Sequence, residues 1–133
     1  MPTRFKSRFQ SALAFAALLL AAGFARALDI APYTAAALQQ AQAAGKPVAL
    51  HFHADWCPTC KAQADAFRAL AADPSLKPVT LLVADYDKER ELKKALRVRS
   101  QSVLIVFKGA TETARSGGET KPDKLKSALA TAL

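Results

Sequence analysis

The stretch His51-Phe52-His53-Ala54-Asp55-Trp56-Cys57-Pro58-Thr59-Cys60-Lys61 constrains the fold of this chain more than any other. It holds the only two cysteines, and it joins an apolar run to a helix-forming run. Val48 to His53 is short, apolar on alternate positions and closed by the turn-like Ala54-Asp55, the pattern of a buried strand. Pro58 suits the first position of a helix, where its missing N–H costs nothing, and the run Lys61 to Ala72 extends that helix to a stop at Asp73-Pro74. Cys57 is thereby placed at a strand-to-helix junction, with Cys60 one turn further along the same helical face.

The rest of the chain supplies more strands and helices in alternation. Thr34 is an N-cap for an alanine-rich helix to Ala44, and Gly45 with Lys46-Pro47 ends it. Val79 to Ala84 reads as a second strand. Lys88 to Leu96 reads as a short charged helix with Leu92, Ala95 and Leu96 as its apolar stripe. Val103 to Phe107 is strongly strand-like, and Lys108-Gly109-Ala110 turns it into an edge strand over Glu112 to Arg115. A last helix runs from Pro122 to about Ala132. With a short strand at Leu28 to Ile30 the order is β-α-β-α-β-α-β-β-α. Such an order predicts an α/β fold, a mixed central sheet with parallel pairing early, an antiparallel hairpin late and helices on both faces.

The N-terminus has a different character. Arg4, Lys6 and Arg8 precede the almost wholly apolar Ser11 to Ala22, and Ala25-Arg26-Ala27 has the small-x-small form of a processing site. Residues 1–27 are therefore expected to be a cleaved signal peptide, since the apolar stretch is shorter than the roughly 20 residues a spanning helix needs. Residues 28–133 are left as one small domain with one core. The formal net charge of +8 loses Arg4, Lys6, Arg8 and Arg26 and no acid, becoming +4. The remaining basic residues are scattered among acids, most densely through Asp85 to Arg99, with no stacking aromatics, so no nucleic-acid partner is expected. Export places the cysteines in an oxidising compartment, and a periplasmic location follows as the expectation.

The segment Ala54-Asp55-Trp56-Cys57-Pro58-Thr59-Cys60-Lys61, the strand Val103-Leu104-Ile105-Val106-Phe107-Lys108 and the glycine at 118 together resemble the thioredoxin family. The resemblance covers essentially all of residues 28–133 and implies a thioredoxin-like fold. Among relatives the chain looks most like exported thioredoxin-like domains, including the soluble ends of membrane electron transporters. It departs from the family pattern at three positions. Ser102 stands where the family has a cis-proline facing the disulfide. A cis bond before a residue other than proline costs about 2.5 to 4 kcal/mol, so Ser102 is expected to be either strained or trans. His51 replaces a buried aspartate, and His53 replaces an aromatic residue.

The chemistry of the pair follows from its placement. Unpaired N–H groups and the helix dipole favour a thiolate at Cys57, making it the attacking nucleophile, with Cys60 as the less exposed resolving thiol. A purely structural disulfide is the alternative, although a bridge over so short a loop restrains an unfolded chain little. His51 and His53 alternate with Leu50 and Phe52 and share one face of their strand. The resemblance turns that face toward the cysteines. There His51 could take the proton of Cys60 during resolution, or it could be a buried histidine satisfied by a hydrogen bond. Trp56, with Pro58 and Thr59 beside it, would form a rim for protein substrates, the other reading of Trp56 being a core aromatic. By resemblance the backbone at Gln101 and Ser102 pairs with an extended substrate.

These expectations converge on a periplasmic thiol-disulfide oxidoreductase that exchanges its Cys57-Cys60 pair with protein thiols and disulfides. A membrane electron-transfer partner fits it, no organic cofactor is called for, and a monomer is expected. One alternative uses Cys57, Cys60, His51 and His53 as a soft-metal set for copper(I) or zinc, without the spacing of known zinc motifs. Another holds partners without turnover.

Overall fold

The computed structural model describes residues 27–133. The expected signal peptide lies outside the described residues except for Ala27, whose N–H donates to the Ala71 carbonyl at 3.0 Å. Five strands, β1 (Asp29–Pro32), β2 (Pro47–His53), β3 (Thr80–Asp85), β4 (Val103–Lys108) and β5 (Thr111–Gly117), form one sheet in the order β1-β3-β2-β4-β5. β1 and β2 run parallel to β3, whereas β4 is antiparallel to β2 and to β5. This is the mixed sheet predicted from the alternation of elements. The helices are α1 (Ala35–Ala43), α2 (Pro58–Leu70), α3 (Arg90–Ala95) and α4 (Pro122–Ala130).

Two apolar layers cover the sheet. Side chains of α2 and α4, among them Phe67, Leu70, Leu125 and Leu129, pack on Ala49, Leu81, Leu104 and Val106. On the opposite face Leu38 of α1 and Leu92 and Leu96 beside α3 cover Val48, Leu50, Phe52, Leu82 and Ile105. β2 is central and buried on both faces, which fixes its register, because a one-residue slip would exchange the two sets. The site at its C-terminal end inherits that rigidity.

Helix ends follow the sequence signals in α1. The Thr34 side chain accepts the Ala37 N–H, and Gly45 adopts a φ of 67° while Lys46 N–H reaches back to the Ala41 carbonyl. The α3 end uses the same closing turn with a less suitable residue. Arg97 adopts φ 55°, and the Arg97 and Val98 N–H groups return to Lys94 and Lys93.

Several element ends shift by one or two residues from expectation, and two differences lie in the third helix. The third helix begins at Arg90 rather than Lys88, because the Asp85 carboxylate captures the N–H groups of Asp87 and Lys88 in a turn that competes with helix start. Ala95 is exposed, since so short a helix buries only the edge bearing Leu92 and Leu96.

Candidate active site

The strand-to-helix junction places both thiols at the end of β2. Cys57 is the N-cap of α2, with extended backbone at φ −93° and ψ 112°, and its Sγ accepts the Cys60 N–H at 3.1 Å. Pro58 occupies the first turn, as its missing N–H predicts. Both cysteines are free and buried, packed with Ala54 and Tyr86. Trp56 beside them is 59% exposed, and its indole N–H donates to Asp87 Oδ2 at 2.9 Å. Trp56 is thus an exposed side chain and not a core aromatic. Pro58 is also exposed, and Thr59 and Gln101 are half-buried around the sulfurs.

Ser102 is the centre of the arrangement. Its Oγ lies 3.1 Å from Cys57 Sγ and 3.0 Å from Cys60 Sγ, so one hydroxyl touches both thiols. The described peptide bonds are all trans, and Ser102 instead carries its strain in a φ of 63°. A left-handed conformation at a residue with a Cβ costs about 1 to 2 kcal/mol. Surrounding hydrogen bonds over-determine it: the Ser102 N–H donates to Phe52 O, and its carbonyl accepts from Gly118 N–H and Gln63 Nε2.

The two thiols are pushed apart electrostatically. Burial raises the Cys57 pKa, but hydrogen bonds from the Cys60 thiol, Ser102, the Cys60 N–H and Gln101 outweigh it and leave it below the ordinary thiol value. Burial, reinforced by the hydrogen bond to Cys57, holds Cys60 above that value. A readily ionised thiol and a protonated one therefore share a hydroxyl.

His51 stands on the same strand face as His53, their rings 5.5 Å apart, but it does not hydrogen-bond either sulfur. Its Nε2 meets Gln63 Oε1 at 2.9 Å, one turn of α2 beyond Cys60. Gln63 spends both amide hydrogens on the carbonyls of Ser102 (3.0 Å) and Glu119 (2.8 Å), so its Oε1 must accept, and the His51 proton sits on Nε2. Burial pushes the His51 pKa down to about 4, against the opposing effect of Gln63. Phe67 closes over the ring at 5.1 Å. His51 is therefore hydrogen-bonded to Gln63 rather than to either sulfur, at the far end of a buried polar chain.

His53 is turned toward the surface, with Nε2 3.2 Å from Asp55 Oδ1 and Nδ1 buried without a protein partner. Among the described residues no three His, Cys, Asp or Glu side chains gather as a metal-ligating group. The sulfurs meet at Ser102 and the histidines diverge to Gln63 and Asp55, so the four residues of the metal reading are not brought together. Sequence reasoning missed Gln63 and Asp87. Gln63 had a signal: it is a lone polar residue on the helical stripe of Cys60 and Phe67. Asp87 had none, being one acid within a charged run.

A mixed five-stranded sheet with a Cys-x-x-Cys pair capping the helix after its central strand defines a thioredoxin-type thiol-disulfide oxidoreductase. Comparison with known proteins agrees. The family model described as Thioredoxin matches residues 30–131, and the chain belongs to the thioredoxin family. Thioredoxin of Chlamydia trachomatis is 37% identical over 78 residues, spanning 59% of this chain and 74% of that protein. The thiol:disulfide interchange protein DsbD of Vibrio cholerae is 43% identical over 67 residues, 47% of this chain and 11% of that protein. In structure the chain is similar to Trxlp from Edwardsiella tarda, with a TM-score of 0.73 and 38% identity over 76% of this chain and 98% of that one.

Proposed function

We propose that the chain is exported to the periplasm and there exchanges the Cys57-Cys60 pair with protein disulfides. Cys57 attacks as the thiolate and Cys60 resolves the mixed disulfide. The observation that carries this assignment is the asymmetry of the pair, with the Cys57 sulfur capping α2 and its pKa lowered while that of Cys60 is raised. Exposed Trp56 and Pro58, with Thr59, Gln101 and Ser102, form the surface over which a substrate chain would lie. Export is supported by the basic start, the apolar Ser11 to Ala22 and the Ala25-Arg26-Ala27 site. The likeness to a thiol:disulfide interchange protein supports a membrane electron-transfer partner.

Insulin reduction driven by dithiothreitol tests the activity, and Cys60→Ser should accumulate a mixed disulfide at Cys57. Full activity in Cys57→Ser, or alkylation of Cys60 ahead of Cys57, would reverse the assignment. Export predicts release of a chain beginning at Leu28 on osmotic shock; retention of the full chain in the cytoplasm would refute it.

A further inference from the structure

Resolution of a mixed disulfide needs a proton removed from one sulfur and supplied to another. Cys60 must lose its proton to attack Cys57 Sγ, and the substrate sulfur that leaves Cys57 must gain one when its thiol is weakly acidic. The group expected for this task from the sequence, His51, is engaged with Gln63 and makes no hydrogen bond to either sulfur. Ser102 Oγ is the group that contacts both, at 3.0 Å from Cys60 and 3.1 Å from Cys57. A hydroxyl can accept one hydrogen bond while donating another, as a shuttle requires.

We propose that Ser102 is a catalytic proton shuttle for the resolving step, held in place by Gln63 and His51; the proposal rests on the exchange reaction assigned above. The Cys60 S–H proton passes to Ser102 Oγ as Cys60 Sγ attacks Cys57 Sγ. In-line attack puts the departing substrate sulfur on the side of Cys57 away from Cys60, one S–S bond beyond the Cys57 sulfur and about 4 to 5 Å from Ser102 Oγ, so the hydroxyl's own proton reaches it through one solvent water. The Cys57-Cys60 bond forms, the bond from Cys57 to substrate breaks, the pair is oxidised by two electrons and the substrate leaves reduced as a thiol. Ser102 ends with its hydroxyl restored.

The supporting chain explains three unusual residues together. The positive φ of Ser102 is maintained by bonds to its own N–H and carbonyl, and one of those comes from Gln63 Nε2. Gln63 is 0% exposed and held by the Glu119 carbonyl and by His51, so its carboxamide has one satisfied orientation. Gln63 and His51 are thus positioning residues, and of the three only Ser102 touches the reacting sulfurs.

The leaving group supplies the test. Reduced protein is mixed with oxidised glutathione, whose thiol needs a proton on leaving, or with Ellman's disulfide, whose aryl thiolate does not. Resolution is followed by rapid acid quench and mass spectrometry for the first and by release of the second aryl thiolate for the other. Ser102→Ala should slow resolution with glutathione about 100-fold, the lower end for general acid–base catalysis, and change the aryl reaction only a few-fold. Ser102→Gly, which keeps the positive φ without a hydroxyl, should behave alike and stands in if the alanine variant does not fold. Gln63→Leu should slow the glutathione reaction in wild type and add nothing in the Ser102→Ala background. Equal slowing with both leaving groups, or slowing with neither, overturns the shuttle, and additive effects of Gln63→Leu and Ser102→Ala overturn its positioning. A wild-type protein that forms no mixed disulfide with either reagent refutes the exchange reaction instead.

Discussion

His51 makes the fold acid-sensitive in a window set by its burial. The imidazole is 1% exposed, and burial lowers its pKa from 6.5 to about 4. In the unfolded chain it takes up a proton below about pH 6.5, whereas the folded protein resists protonation until about pH 4. Between those values the unfolded state binds more protons, so stability falls as pH falls. The contribution is fully present above pH 6.5 and is lost by about pH 4. At about 1.4 kcal/mol per pH unit the whole window corresponds to about 3 kcal/mol, a large share of a small domain's stability. His51→Gln keeps a donor for Gln63 Oε1 and removes the titration. Urea unfolding of the reduced protein, followed by circular dichroism from pH 7.5 to 4, measures both slopes. The wild type should lose about 1.4 kcal/mol per pH unit more than His51→Gln in the middle of the window. Asp73 does not confound this, because Lys126 holds its carboxyl at about 2 and its own loss falls at lower pH. Parallel slopes for the two proteins would refute the account of His51 as a neutral, buried link.

Three other perturbations probe separate parts of the structure. Ser102→Ala removes a hydrogen bond that favours the reduced pair; at 1.5 to 3 kcal/mol for a bond to a charged group, the potential against glutathione should fall by about 30 to 60 mV, and no change would refute thiolate stabilisation by Ser102. Trp56→Ala should lower kcat/KM about tenfold more for insulin than for a small disulfide, as expected for truncation of an aromatic anchor, and Asp87→Ala, which frees the indole, should do the same to a smaller degree. An equal loss on both substrates would remove the rim from substrate binding. Arg97→Gly should raise stability in urea by up to about 1 kcal/mol, because the turn closing α3 requires a positive φ there; a destabilised variant would show that the arginine side chain contributes more than the strain costs.

The parts of this molecule legible in the sequence are those determined locally. The Thr34 cap, the Gly45 stop, the Pro58 start and the Gly109 hairpin each follow from the dihedral freedom or hydrogen-bonding capacity of one residue, and the alternation of elements then leaves few sheet topologies. The cysteines were legible because a Cys-x-x-Cys after a strand places one sulfur at a helix N-terminus whatever surrounds it. The start of α3 was not, since the Asp85 carboxylate and the next helical turn compete for the same N–H groups and the winner depends on packing.

The polar interior was the least legible, for a different reason. His51, Gln63 and Ser102 lie on β2, on α2 and just before β4, and their roles exist only once those elements pack. Read singly, His51 resembles a proton acceptor, Gln63 is one polar residue on an apolar helical stripe and Ser102 a vacancy left by proline. Together they satisfy one another: imidazole to carboxamide, carboxamide to the Ser102 carbonyl, and the hydroxyl between two sulfurs. A buried carboxamide oriented by three partners leaves no unsatisfied group, whereas any one replacement strands the others in a low-dielectric interior. The departures from the family pattern at 51 and 102 are therefore coupled through Gln63. Replacing His51 with phenylalanine and Gln63 with leucine together should cost less stability than the sum of the two single changes, because each single change strands the polar group of the other. That non-additivity, read from urea unfolding of the single and double variants, distinguishes a connected network from independent substitutions, which would give additive free energies.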